Sequence, residues 1–146
     1  MDDFDRFARA ATALLGGEAE VTVRQGRRAE YPGSPREAAD LFVKKLGFTP
    51  IGDGWVDLGE KGSDPAGYLT NILKRDLVGH NIDWLPDGEA RNCSEGFYSL
   101  FKGPAVTNLA NVVGNEWNPI TTSTVEAAYV SMDDDRIGLF LLEAED

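Results

Sequence analysis

The feature that most constrains the fold lies near the end of the chain, where two runs, 125–132 and 137–143, are separated only by Asp133-Asp134-Asp135-Arg136. The runs are β-branched, aromatic or otherwise apolar and the segment between them is polar, so the pattern predicts two strands joined as a hairpin. Residues 137–142 read Ile-Gly-Leu-Phe-Leu-Leu, apolar at both parities. Such a strand has no face to offer water, so it belongs in the middle of a sheet covered by helices.

Those covering helices are legible upstream. Phe4, Phe7, Ala8, Ala11, Leu14 and Leu15 recur at three- and four-residue spacing, with Asp2 or Asp3 as cap and Gly16-Gly17 as stop. Ser34-Pro35-Arg36-Glu37 is a capping box with proline at the first helical position. Ala38, Leu41, Phe42 and Leu46 supply its apolar stripe, and Gly47 ends it. Asp64-Pro65 opens a third helix through Tyr68, Leu69, Ile72, Leu73 and Leu77 up to Gly79. A fourth, starting at Asp87 or Ser94, carries Ala90, Cys93, Phe97, Leu100 and Phe101 before Gly103.

Between these segments, residues 20–24 alternate as a strand and residues 24–33 read as a polar, basic loop. Residues 48–51 and 55–58 flank Gly52-Asp53-Gly54, which predicts a short β-hairpin. Residues 104–124, rich in Asn, Thr, Gly and Pro, give no firm assignment. Helices and strands are thus interspersed, with a late antiparallel pair. The expected class is α+β: a single compact domain of three or four helices on a mainly antiparallel sheet with a C-terminal hairpin. A length of 146 residues suits one domain, and 42% hydrophobic residues suffice for its core.

Charge is the main functional signal. Twenty-five acids against fourteen bases give a net charge of −11, which opposes binding to nucleic acid or to anionic membrane surfaces. Residues 1–50 hold eight acids and eight bases, 51–100 nine and four, and 101–146 eight and two. The negative charge therefore accumulates late in the chain. No apolar run reaches the roughly 18 residues of a membrane helix, and Asp2, Asp3 and Asp5 stand where a secretory signal would be basic, so a cytoplasmic protein is expected.

Catalytic grammar is sparse. His80, the single histidine, could act as acid or base with Asp83 as orienter, but it follows a predicted helix end, where a cation is favoured without any catalytic role. Cys93, the single cysteine, sits on an apolar helix face and reads as core. The glycines at 52, 54, 59, 62 and 67 match no phosphate-binding loop. Asp133, Asp134 and Asp135 lack the alternation of a calcium loop and suit a turn better than a metal site. Neither a metal nor a cofactor is expected.

Tryptophans mixed with acids are more suggestive: Trp55 between Asp53 and Asp57, Trp84 after Asp83, and Trp117 after Glu116. Trp55 and Trp84 suit a half-buried core; Trp117, in the most irregular segment, is the best anchor for a partner. The reading is an acidic binding module, an inhibitor or immunity-type protein that neutralises a basic partner such as a toxin acting on nucleic acid. Its contact residues would be Trp117, Glu116, Asp133, Asp134, Asp135, Glu143, Glu145 and Asp146, the acids gathered near one end of the closing hairpin. The alternatives are a small hydrolase using His80 with nearby carboxylates, and a structural or regulatory subunit.

Overall fold

The computed structural model describes residues 2–17, 19–74, 84–113, 116–123 and 125–144. Among these described residues four helices, α1 (Asp3–Leu15), α2 (Pro35–Lys45), α3 (Pro65–Leu73) and α4 (Asp87–Tyr98), accompany seven strands. The strands are β1 (Glu20–Arg27), β2 (Val56–Asp57), β3 (Thr107–Ala110), β4 (Val112–Val113), β5 (Glu116–Trp117), β6 (Val125–Met132) and β7 (Arg136–Ala144). Five form one sheet in the order β1-β7-β6-β3-β2, antiparallel at every junction; β4 and β5 make a separate two-stranded ribbon.

β7 lies inside the sheet between β1 and β6, as its two apolar faces require. Phe140 and Leu142 point to one side, where they meet Phe4 and Leu15 of α1, Leu69 and Leu73 of α3, and Phe97 of α4. Ile137, Leu139 and Leu141 point to the other, against Phe42 and Val43 of α2 and Trp55. The period of two splits one strand between two cores. Phe97 makes edge-on ring contacts with Phe101 and Phe140 at 5.4 Å each, which fixes the end of α4 over the middle of the sheet.

Local signals hold where they rest on chemistry close in sequence. Asp2 caps α1 by accepting from Asp5 N at 2.8 Å. Ser34 and Glu37 close the reciprocal capping box of α2 at 3.3 and 3.0 Å. The expected stripes need correction by part of a turn. Leu14 of α1 and Leu41 of α2 are exposed, while Ala39 and Val43 join Ala38 and Phe42 in the core. On α2 the buried arc runs from Ala38 and Phe42 to Ala39 and Val43, which leaves Leu41 on its outer flank.

Two loop expectations are also corrected. The segment after Arg24 is not loop: β1 continues to Arg27 in unbroken register with β7, then turns through a 3₁₀ segment, Arg28–Glu30. The expected hairpin of residues 48–51 with 55–58 does not form. Asp40 on α2 accepts from Ile51 N, Gly52 N and Trp55 Nε1 at 2.8–2.9 Å, and this holds Gly52–Gly54 as a 3₁₀ turn. Thr49 N then donates to Ile120 O, leaving β2 to pair with β3. The stretch 104–124, for which the sequence gives no assignment and so nothing to correct, contributes β3, β4 and β5. The expected third helix ends at Leu73, and its proposed continuation to Gly79 lies outside the described residues.

Candidate protein-interaction surface

The acids proposed as one group divide between two ends of the molecule. Asp134 and Asp135 are exposed at the turn between β6 and β7, whereas Glu143 lies seven residues beyond Arg136 along β7. At about 3.3 Å per residue that is a separation of roughly 23 Å, twice the screening length at 0.1 M salt. They cannot form one concentrated field. Glu145, Asp146, His80 and Asp83 lie outside the described residues.

Asp133 is drawn inward. Its carboxylate accepts from Lys102 N at 2.9 Å, Asp135 N at 2.9 Å and Arg136 N at 2.7 Å. Burial opposes its charge, but these donors and the Arg136 guanidinium outweigh it and hold the carboxyl below the ordinary aspartate value. The side chain shapes the turn and pins the connection between α4 and β3 at Lys102, so little of it faces outward.

Trp117 sits at the Glu143 end. The ribbon β4–β5 pairs Val112 with Trp117 and Val113 with Glu116, and Trp117 is 44% exposed. Asn111 and Glu126 tie this ribbon to the sheet. Asn111 N donates to Ala128 O, and Asn111 Oδ1 accepts from Ala128 N at 2.7 Å, so a side chain extends the β3–β6 ladder by one step. Its Nδ2 donates to Asn118 O and to Glu126 Oε2 at 3.1 and 2.9 Å. Glu126, 2% exposed, also accepts from Ile120 N and Thr121 N at 2.8 Å each and from Thr121 Oγ1 at 2.5 Å. A buried carboxylate surrounded by four donors is compensated for its lost hydration, and it fixes the path of residues 111–121. Tyr68 Oη donates to Val112 O at 2.5 Å from the α3 side.

Sequence reasoning missed Asn111 and Glu126. The available signal was Glu126 itself, a lone acid within an apolar strand next to a loop rich in Thr and Ser. The register exposes a second feature: Glu20, Glu143 and Glu126 stand directly opposite one another across β1, β7 and β6. Like charges in that relation are destabilising. Glu126 is turned into its donors, Glu143 accepts from Ser123 Oγ at 2.6 Å, and Glu20 is exposed. A shallow cleft between the end of α1 and Ser123 is bordered by Glu20 and Glu143.

The other tryptophans are internal. Trp55 is fully buried with its Nε1–H satisfied by Asp40, and Trp84 is half-buried against the α1/α3/α4 core. Cys93 lies on α4 beside Phe7 and Ala11 of α1, and burial pushes its thiol up to about 11. With that value, about one molecule in a thousand carries thiolate at pH 8, against about one in four for an unperturbed cysteine. Labelling of the native protein by an aromatic disulfide reagent should therefore run at least ~100-fold slower than in denaturant. A native rate within tenfold of the unfolded one would contradict this placement.

Among the described residues no group of three metal-ligating side chains is gathered, and no helix is long and apolar enough to cross a membrane. Comparison with family models, curated proteins and solved structures finds no match.

Proposed function

We propose that the protein is an acidic, non-enzymatic binding module that captures a basic protein partner and neutralises it, in the manner of an inhibitor or an immunity protein opposing a toxin. The observation that carries the reading is Trp117: a large aromatic left 44% exposed on a ribbon that buried Asn111 and Glu126 hold in place. An exposed tryptophan adds little to stability, whereas a preorganised one is a natural hot spot. Glu143 at this end of the sheet supplies charge for an electrostatic rim, and in sequence Glu116 precedes Trp117 while Glu145 and Asp146 follow Glu143. Asp133 serves the turn, and Asp134 and Asp135 lie roughly 23 Å from Glu143, beyond the distance at which exposed charges reinforce one another at 0.1 M salt.

The division of the acids makes the proposal testable. A partner is captured on the tagged full chain, identified by mass spectrometry and purified; its binding kinetics are then followed at two salt concentrations. Trp117→Ala should mainly speed dissociation, costing on the order of 2 kcal/mol. Glu143→Gln should slow association and reduce its salt dependence, while the pair Asp134→Asn and Asp135→Asn should leave association nearly unchanged. Binding indifferent to Trp117→Ala, or slowed as much by the Asp134 and Asp135 changes as by Glu143→Gln, would overturn it.

A further inference from the structure

The two edges of the five-stranded sheet are unequal. One ends in β2, two residues long; the other ends in β1, eight residues in continuous register with β7, without proline or bulge. A long regular edge offers a row of unpaired backbone groups. Which groups face outward follows from the ladder. Arg28 N donates to Asp135 O at 2.9 Å, one step beyond the Arg27–Arg136 pair, so even-numbered residues of β1 turn their N–H and C=O toward β7. Val21, Val23, Gln25 and Arg27 therefore turn theirs outward, and these N–H groups have no acceptor among the described residues.

We propose that this edge pairs with a second copy of the same chain, β1 against β1 antiparallel about a two-fold axis at Thr22, joining two five-stranded sheets into one of ten strands. A two-fold axis normal to the sheet keeps each face on its own side, so only registers that pair residues of equal parity are allowed. Among these, centring on Thr22 sets Glu20 opposite Arg24 of the second copy and Val21 opposite Val23. Both charged residues are exposed, and both valines are only partly buried on the α1 side. The Val21–Val23 pairs exchange outward main-chain bonds. Centring on Arg24 would instead oppose arginine to arginine, and centring on Val21 or Val23 matches neither charge. The Thr22 register also answers a defect within the single chain. Glu20 faces Glu143 across the β1–β7 ladder, and an arginine from the second copy offsets that repulsion. β1 and β3, the strand that leads into the Trp117 ribbon, are separated in the sheet by β7 and β6, so the pairing leaves Trp117 open; Glu143, beside Glu20, borders the paired edge.

The test is sedimentation or light scattering of the full chain from micromolar to millimolar concentration, with circular dichroism to verify folding. The parent should reach twice the mass of one chain. Val23→Pro removes an outward N–H that β7 does not use and should leave a folded monomer. Glu20→Arg and Arg24→Glu should each weaken self-association by roughly tenfold, since each places like charges opposite one another twice, and the two changes together should restore it. A parent that stays at the mass of one chain throughout overturns the proposal. So does a dimer that survives Val23→Pro, or a double variant no better than the single ones.

Discussion

Glu126→Leu should lower the stability of the fold by about 3 to 5 kcal/mol, the loss typical of breaking a buried, hydrogen-bonded charge site on one side only. Leucine fills similar space but leaves Asn111 Nδ2, Ile120 N, Thr121 N and Thr121 Oγ1 without their acceptor. Water cannot replace it easily at a site only 2% exposed. The loss should fall hardest on residues 111–121. Amide exchange at Val112, Trp117 and Asn118 should accelerate before the β6–β7 hairpin is affected, because the donors that lose Glu126 lie in 111–121 while β6 and β7 keep their own ladder. Glu126→Gln keeps one acceptor oxygen and should cost less. The measurement is the urea midpoint with exchange mass spectrometry. A Glu126→Leu protein within about 1 kcal/mol of the parent would show that the ribbon is held by other means.

This site also marks where sequence reading stops. The closing hairpin was legible because its signal is local and redundant: apolar residues at both parities, a polar turn, and length enough for two strands. The box at Ser34 and Glu37 was legible for the same reason. The hairpin expected around Gly52 failed because a glycine turn fixes a bend without choosing what pairs beyond it. Asp40, twelve residues upstream, makes that choice by taking Ile51 N, Gly52 N and Trp55 Nε1. Asn111 and Glu126 meet only in space. The last third of the chain holds eight acids against two bases, yet grouping Asp133 with Glu143 ignores the rise of a strand. Once residues 137–143 are extended, the two cannot share an end. Trp117, a tryptophan in an irregular, polar segment, is 44% exposed, which is the part of its expected role that the structure describes.

Gly138 in β7 sets a steric limit of equal weight. A methyl at this position would lie 2.8 Å from Phe101 Cζ and 2.8 Å from Phe4 Cε2, closer than carbon atoms approach. Neither ring can move freely. Phe4 lies under the Arg136 guanidinium at 5.6 Å, and Arg136 is itself held by Asp3 Oδ1 at 2.9 Å and Leu100 O at 3.1 Å. Phe101 stacks edge-on against Phe97 at 5.4 Å. Gly138→Ala should therefore cost about 2 kcal/mol, and Gly138→Val about 3, although alanine and valine are the better strand formers in isolation. The two effects oppose each other: replacing glycine in a strand gains roughly 0.5 to 1 kcal/mol of chain entropy, less than the overpacking it causes here. A double-mutant cycle separates them, since Phe4→Leu removes the ring edge that the new methyl meets. Gly138→Ala should be milder in that background by about 1 kcal/mol or more. If Gly138→Ala instead raises the unfolding midpoint of the parent, α1 and the end of α4 are not pressed onto the central strand at this point, and the close packing of the helical layer on β7 is lost as an explanation for the glycine.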